Sequence, residues 1–183
     1  EVLKKIVPFT SKLFGRAIIM PNLIPPVTNK TKCVQYRNEI ISQIGKNTDF
    51  KPCMTIYLTE SININDLICA YKNNDVFAVK LYPSGATTNS KQGIKNFEKI
   101  FPILEAMEDN DIPLLIHGEV SDSMVDVFDR EKIFLDTILT SIIERFSKLR
   151  ITLEHITTKE AVEFINDCAD NIKASITLHH LCN

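Results

Sequence analysis

Apolar residues recur along this chain in two alternating textures. Short runs rich in β-branched side chains occupy residues 17–20, 54–58, 78–82, 114–117, 151–155 and 174–177. They are nearly continuous in apolar residues, as strands buried on both faces are. Longer stretches of helical period separate them. Ile64, Leu67, Ile68 and Tyr71 keep the i, i+3, i+4, i+7 spacing of one buried stripe, as do Phe97, Ile100, Phe101 and Leu104. Residues 129–149 predict a longer helix carrying Ile133, Phe134, Ile138, Ile142, Phe146 and Leu149. Thr157-Thr158-Lys159-Glu160 has the form of a capping box opening a helix with Ala161, Phe164 and Ile165. A weaker helix spans 28–44, bounded by Gly45, and residues 2–14 read as a helix interrupted near Pro8.

The predicted order is one helix, five βα units and a last strand. Such alternation implies a parallel sheet with right-handed crossovers. Periodicity alone leaves two architectures open, a doubly wound sheet and a (β/α)8 barrel. With five glycines, no Gly-x-Gly-x-x-Gly turn and no P-loop, the chain argues against a nucleotide-binding sheet. Six strands are too few to close a barrel of eight, which takes about 250 residues. The fold class read here is α/β, and an incomplete (β/α)8 TIM barrel lacking its first and last strands fits the strand count. The chain begins with Glu1 in what reads as mid-helix and stops two residues after Leu181, so both ends read as cut.

Composition narrows the partners. The 183 residues are 44% hydrophobic and 24% charged, with a formal net charge of −2. That suits one globular domain and offers no basic face for nucleic acid and no polybasic membrane anchor. No apolar run approaches the roughly 20 residues of a membrane helix, and the N-terminus lacks the order of a secretory signal. Cys33, Cys53, Cys69, Cys168 and Cys182 are odd in number and form no Cys-x-x-Cys pair. They read as reduced, buried thiols, and the expected compartment is cytoplasmic.

Parallel α/β proteins carry chemistry at the carboxyl ends of strands. Those positions hold Asn22, Lys80, His117 and His155, with His179 and His180 after the last strand. Each alone has an ordinary reading: a strand-end histidine as a rim residue, Lys80 as a buried stem with a solvated amine. Together, two imidazoles at equivalent strand ends suit a divalent metal. A lysine within an apolar strand should have a depressed pKa, and its neutral amine can add carbon dioxide. The resulting carbamate is an anionic oxygen donor able to bridge two cations.

Four longer words then carry a resemblance: Met20-Pro21-Asn22-Leu23-x-Pro25-Pro26-Val27, Lys80-Leu81-Tyr82-Pro83-x-x-Ala86-Thr87-Thr88-Asn89-Ser90, Pro113-Leu114-Leu115-Ile116-His117-Gly118-Glu119-Val120 and Glu154-His155-Ile156-Thr157-Thr158-Lys159. They resemble, in family order, the bacterial-type (class II) dihydroorotases of the amidohydrolase superfamily. Phe128-Asp129-Arg130-Glu131 is similar to the segment after that family's first single histidine. The resemblance implies that residues 1–183 are the central part of a metal-dependent hydrolase barrel. It implies two Zn2+ ions per complete site, bridged by N6-carboxylated Lys80, with His117 and His155 on the second metal. Asn22, Thr87 and Thr88 would bind substrate, the two threonines on a mobile loop within residues 84–93. The implied reaction interconverts N-carbamoyl-L-aspartate and L-dihydroorotate in pyrimidine biosynthesis, with a homodimer as the complete protein.

The family's His-x-His pair, the arginine after it and the aspartate that serves as general base have no counterpart in these residues. The segment alone is thus expected to be inactive, and its open strand edges predict poor solubility. Glu119 and Glu154 read as rim or supporting carboxylates. Competing expectations are a non-catalytic scaffold protein of the same family and a different amidohydrolase, such as a hydantoinase or allantoinase.

Overall fold

The computed structural model describes residues 1–45 and 48–182. Six parallel strands form one sheet in sequence order: β1 (Arg16–Ile19), β2 (Lys51–Tyr57), β3 (Ala78–Leu81), β4 (Leu114–His117), β5 (Ile151–Glu154) and β6 (Ile172–Ala174). Helices α1 (Val2–Leu13), α2 (Lys30–Ile41), α3 (Ile64–Lys72), α4 (Phe101–Asp109), α5 (Arg130–Phe134), α6 (Thr140–Arg145), α7 (Lys159–Asp167) and α8 (Leu178–Cys182) precede or follow them. Every strand pairs with its sequence neighbour, so the sheet curls as an incomplete (β/α)8 barrel.

Pleating assigns the two faces different work. Ile56, Val79, Leu81, Leu114, Ile116, Ile151 and Leu153 join the apolar core under the helices, together with Leu67, Leu104, Met107, Phe134 and Leu139. The register places Tyr57 beside Lys80, Lys80 beside Leu115, and His117 beside Glu154. Tyr57, Lys80, Tyr82, His117 and Glu154 therefore share the opposite, concave face.

Several elements depart from the sequence expectation. Helix α1 continues through Pro8, with the Ser11 hydroxyl donating to the Pro8 carbonyl at 3.4 Å. A proline removes one donor, and here the turn survives that loss. The predicted helix over 129–149 is α5, a π turn at Leu135–Leu139 and α6, ending at Arg145. Thr158 alone caps α7, accepting from the Ala161 amide, so no Thr157–Glu160 box forms. The last strand is Ile172–Ala174 rather than 174–177, and His179 and His180 follow it as expected, on α8. β1 alternates exposed and half-buried residues, because an edge strand has a neighbour on one side only. Cys33 is buried, but Cys69 and Cys182 are exposed, contrary to the expectation of uniformly buried thiols; all five cysteines are free. Among the described residues no helix is long and apolar enough to cross a membrane.

Candidate metal centre

The strand ends of β3, β4 and β5 bring Lys80, His117 and His155 to one cleft of about 480 Å³, shared with Met20, Asn22, Tyr82, Thr87 and Glu154. Lys80 is 1% exposed. Its ammonium forms an ion pair with the Glu154 carboxylate, but no acceptor meets it in hydrogen-bond geometry. The Tyr82 ring lies beneath it, 5.0 Å from the amine, and stacks in turn on Tyr57 at 5.0 Å. Burial holds the Lys80 pKa below the usual lysine value; Glu154 opposes this without cancelling it.

His117 continues β4 on the concave face. Its Nε2 lies 2.9 Å from the Glu119 carboxylate. A carboxylate accepts only, so Nε2 carries the proton and Nδ1 presents its lone pair. Glu119 is itself held by Arg130, at 3.6 Å. This carboxylate–histidine contact is the support that metal-ligating imidazoles receive.

His155 reaches the same point by a different route. One residue past Glu154, an extended chain would aim it at the helices. Its φ of +47° breaks the pleat and returns the ring to the concave side. His155 Nε2 then lies 3.1 Å from His117 Nδ1. Burial, then the nearby Lys80 and His117, push the His155 pKa down to about 4, and burial lowers that of His117 against the pull of Glu119. Both rings are neutral near pH 7, the form that ligates metal.

The donor set fits a divalent cation. Two nitrogens held by one tetrahedral zinc at 2.0–2.1 Å stand roughly 3.3 Å apart, close to the 3.1 Å between the two rings. Among the described residues no three His, Cys, Asp or Glu side chains group around one point. Lys80 stands beside the two rings in the same cleft.

Asn22 and the segment 84–93 border this cleft. Asn22 Nδ2 donates to the Thr88 carbonyl at 3.1 Å, and Asn89 Nδ2 donates to the Asn22 carbonyl at 2.9 Å. The Ser90 hydroxyl donates to the Thr87 carbonyl and accepts from its amide. Thr87 lines the cleft, whereas Thr88 meets Asn22 through its backbone. His180 also lines it, 3.2 Å from the Thr157 hydroxyl. His179 borders a separate groove beside α7. Sequence reasoning left Glu119 and Glu154 as unspecific carboxylates, although pleat parity puts Glu154 on the face of Lys80 and His117. It gave Arg130 and Glu131 no role.

A curled parallel sheet with a buried lysine and paired histidines above its carboxyl edge defines the class: an amidohydrolase-type barrel. Comparison with known proteins narrows it. No protein-family model matches the chain. A dihydroorotase from Hahella chejuensis is 49% identical over 181 residues, covering 99% of this chain and 52% of the relative. The crystal structure of dihydroorotase from Campylobacter jejuni superposes with a TM-score of 0.89 at 41% identity, covering 98% of this chain and 51% of that one. A Saccharomyces cerevisiae dihydroorotase complexed with 5-fluoroorotic acid gives a TM-score of 0.86 at 28% identity, covering 97% and 52%. The chain is similar to dihydroorotases over nearly its whole length and spans about half the length of the curated relatives it matches.

Proposed function

We propose that this chain carries one side of the active site of a zinc-dependent dihydroorotase, interconverting N-carbamoyl-L-aspartate and L-dihydroorotate. The observation that carries the reading is the meeting of His117 Nδ1 and His155 Nε2 beside a buried lysine amine. In this reading His117 and His155 would hold a divalent cation through those nitrogens, and Lys80, as its carbamate, would offer oxygen ligands beside them. The modification is balanced as amine plus carbon dioxide giving carbamate plus a proton, and it needs the neutral amine that burial favours. Bound divalent cations supply Lewis acidity, lowering the pKa of water and polarising an amide carbonyl.

The chain's own groups set the geometry around that chemistry. Glu119 keeps the His117 tautomer; Tyr57 and Tyr82 exclude water from beneath Lys80. Asn22 offers an amide donor for a substrate carboxylate once it releases Thr88, and Thr87 faces the same cleft. No residue here is assigned as general base. The same reading makes the complete protein a cytoplasmic homodimer acting on a small molecule, without nucleic acid or membrane.

The test is zinc content and dihydroorotate hydrolysis of the protein from the reading frame that encodes these residues. Two zinc ions and turnover, with turnover lost and zinc affinity lowered in K80A and H155A, support the proposal. A folded, zinc-free and inactive product refutes it and favours a scaffold protein.

A further inference from the structure

Of the Phe128-Asp129-Arg130-Glu131 word only Arg130 enters the site above, through Glu119, yet Glu131 makes four polar contacts. Its carboxylate oxygens each lie 3.1 Å from the Thr157 amide. One of them accepts the Thr158 amide at 2.7 Å and the Thr158 hydroxyl at 2.5 Å. Three donors thus converge on one carboxylate, all within three residues of His155.

The placement matters because of the backbone between them. His155 is in the left-handed region at φ +47°, which a side chain with a Cβ resists. That conformation is what turns the imidazole toward His117 instead of the helices. On the near side the His155 amide donates to Ser175 Oγ at 3.1 Å; on the far side the next two free amides end on Glu131. The Thr157 hydroxyl closes the turn by donating to the His155 carbonyl at 3.3 Å. Remove the carboxylate and two successive amides lose their acceptor, freeing the turn to relax toward extended backbone. The ring then loses the approach that brings it to 3.1 Å from His117.

We propose that Glu131 is a positioning residue for His155, holding from α5 the strained turn that delivers the second imidazole to the cation site. The inference rests on the metal reading of that site. It distinguishes Glu131 from a simple brace of α7: Thr158 Oγ1 caps that helix by accepting from Ala161, and this bond does not require the carboxylate.

The experiment is Co2+ titration of the purified protein, followed by visible absorption, for wild type, E131Q and E131A. Each variant is also made in an H155A background. The near-isosteric E131Q keeps the side-chain volume, but a single amide oxygen cannot serve all three donors. Loss of an outer-shell partner weakens metal binding roughly 10- to 100-fold. That weakening is expected with His155 present and absent from the H155A background. Equal weakening in both backgrounds, or none in either, overturns the proposal. If E131A does not fold, E131Q decides. If wild type takes up no Co2+, the metal reading falls separately. Positioning is then read from metal-free NMR, where E131Q should shift the His155 ring resonances and leave those of His179 in place. Unmoved His155 resonances overturn it.

Discussion

Lys80 and Glu154 offer a direct test of whether a buried charge is kept here for chemistry rather than for stability. Their side chains are 1% and 13% exposed, and each is the other's counter-ion. Lys80→Met removes the ammonium while conserving most of the stem's apolar contact, but it leaves Glu154 unpaired. Breaking a buried pair costs about 3–5 kcal/mol. Glu154 keeps some contact with solvent, so the lower end, about 3 kcal/mol, is expected here. Replacing both partners by apolar groups is instead neutral to favourable, so K80M/E154L should exceed wild type by about 2 kcal/mol. For a chain of this size each kcal/mol moves Tm by about 2–4 °C. K80M should thus melt roughly 6–12 °C lower, and the double variant roughly 4–8 °C higher. The assay is thermal and urea unfolding in chelator-treated, carbon-dioxide-depleted buffer, where the lysine is an unmodified amine. A double variant less stable than wild type would refute the reasoning, because the pair would then be a net structural asset.

Two further outcomes follow from local geometry. A Cβ at Gly93 would stand 2.3 Å from the Tyr82 carbonyl oxygen and 2.9 Å from that of Ser90, both backbone atoms. G93A should cost about 1–3 kcal/mol and hasten proteolysis within residues 84–93, whereas G15A, with open space around it, should be neutral; equal melting of the two contradicts this. Burial pushes the Tyr57 phenol up to about 12 and raises Tyr82 beyond it. A raised folded-state pKa means stability intact below the free phenol value near 10 and lost as pH rises through 12. The urea midpoint should fall over that window, and Y57F/Y82F should lessen the fall; an unchanged slope in that variant counts against it.

The alternation of apolar texture was enough to read six parallel strands and an α/β fold, because β3 and β4 are buried on both faces and their sequences say so. The edges were harder. β1 and β6 have a single neighbour each, so their burial pattern weakens and their limits shift by one to three residues. The centre of the site was legible for Lys80 and His117, which sit in regular strand with pleat parity in their favour. His155 was located at a strand end, but its aim was not legible: a strict alternation points it the wrong way, and only the left-handed turn corrects it. What holds that turn is Glu131, on a different helix, and such a contact leaves no periodic trace. Glu119 was closer to readable, since residues two apart on an extended segment share a side.

Zinc-edge anomalous diffraction from crystals of the protein grown with Zn2+ asks the central question with least intermediary. Density should appear between His117 Nδ1 and His155 Nε2, within about 2.0–2.1 Å of each, with a carboxylated Lys80 beside it. Zinc bound elsewhere, with the two rings still facing one another across a metal-free gap, would contradict the assignment.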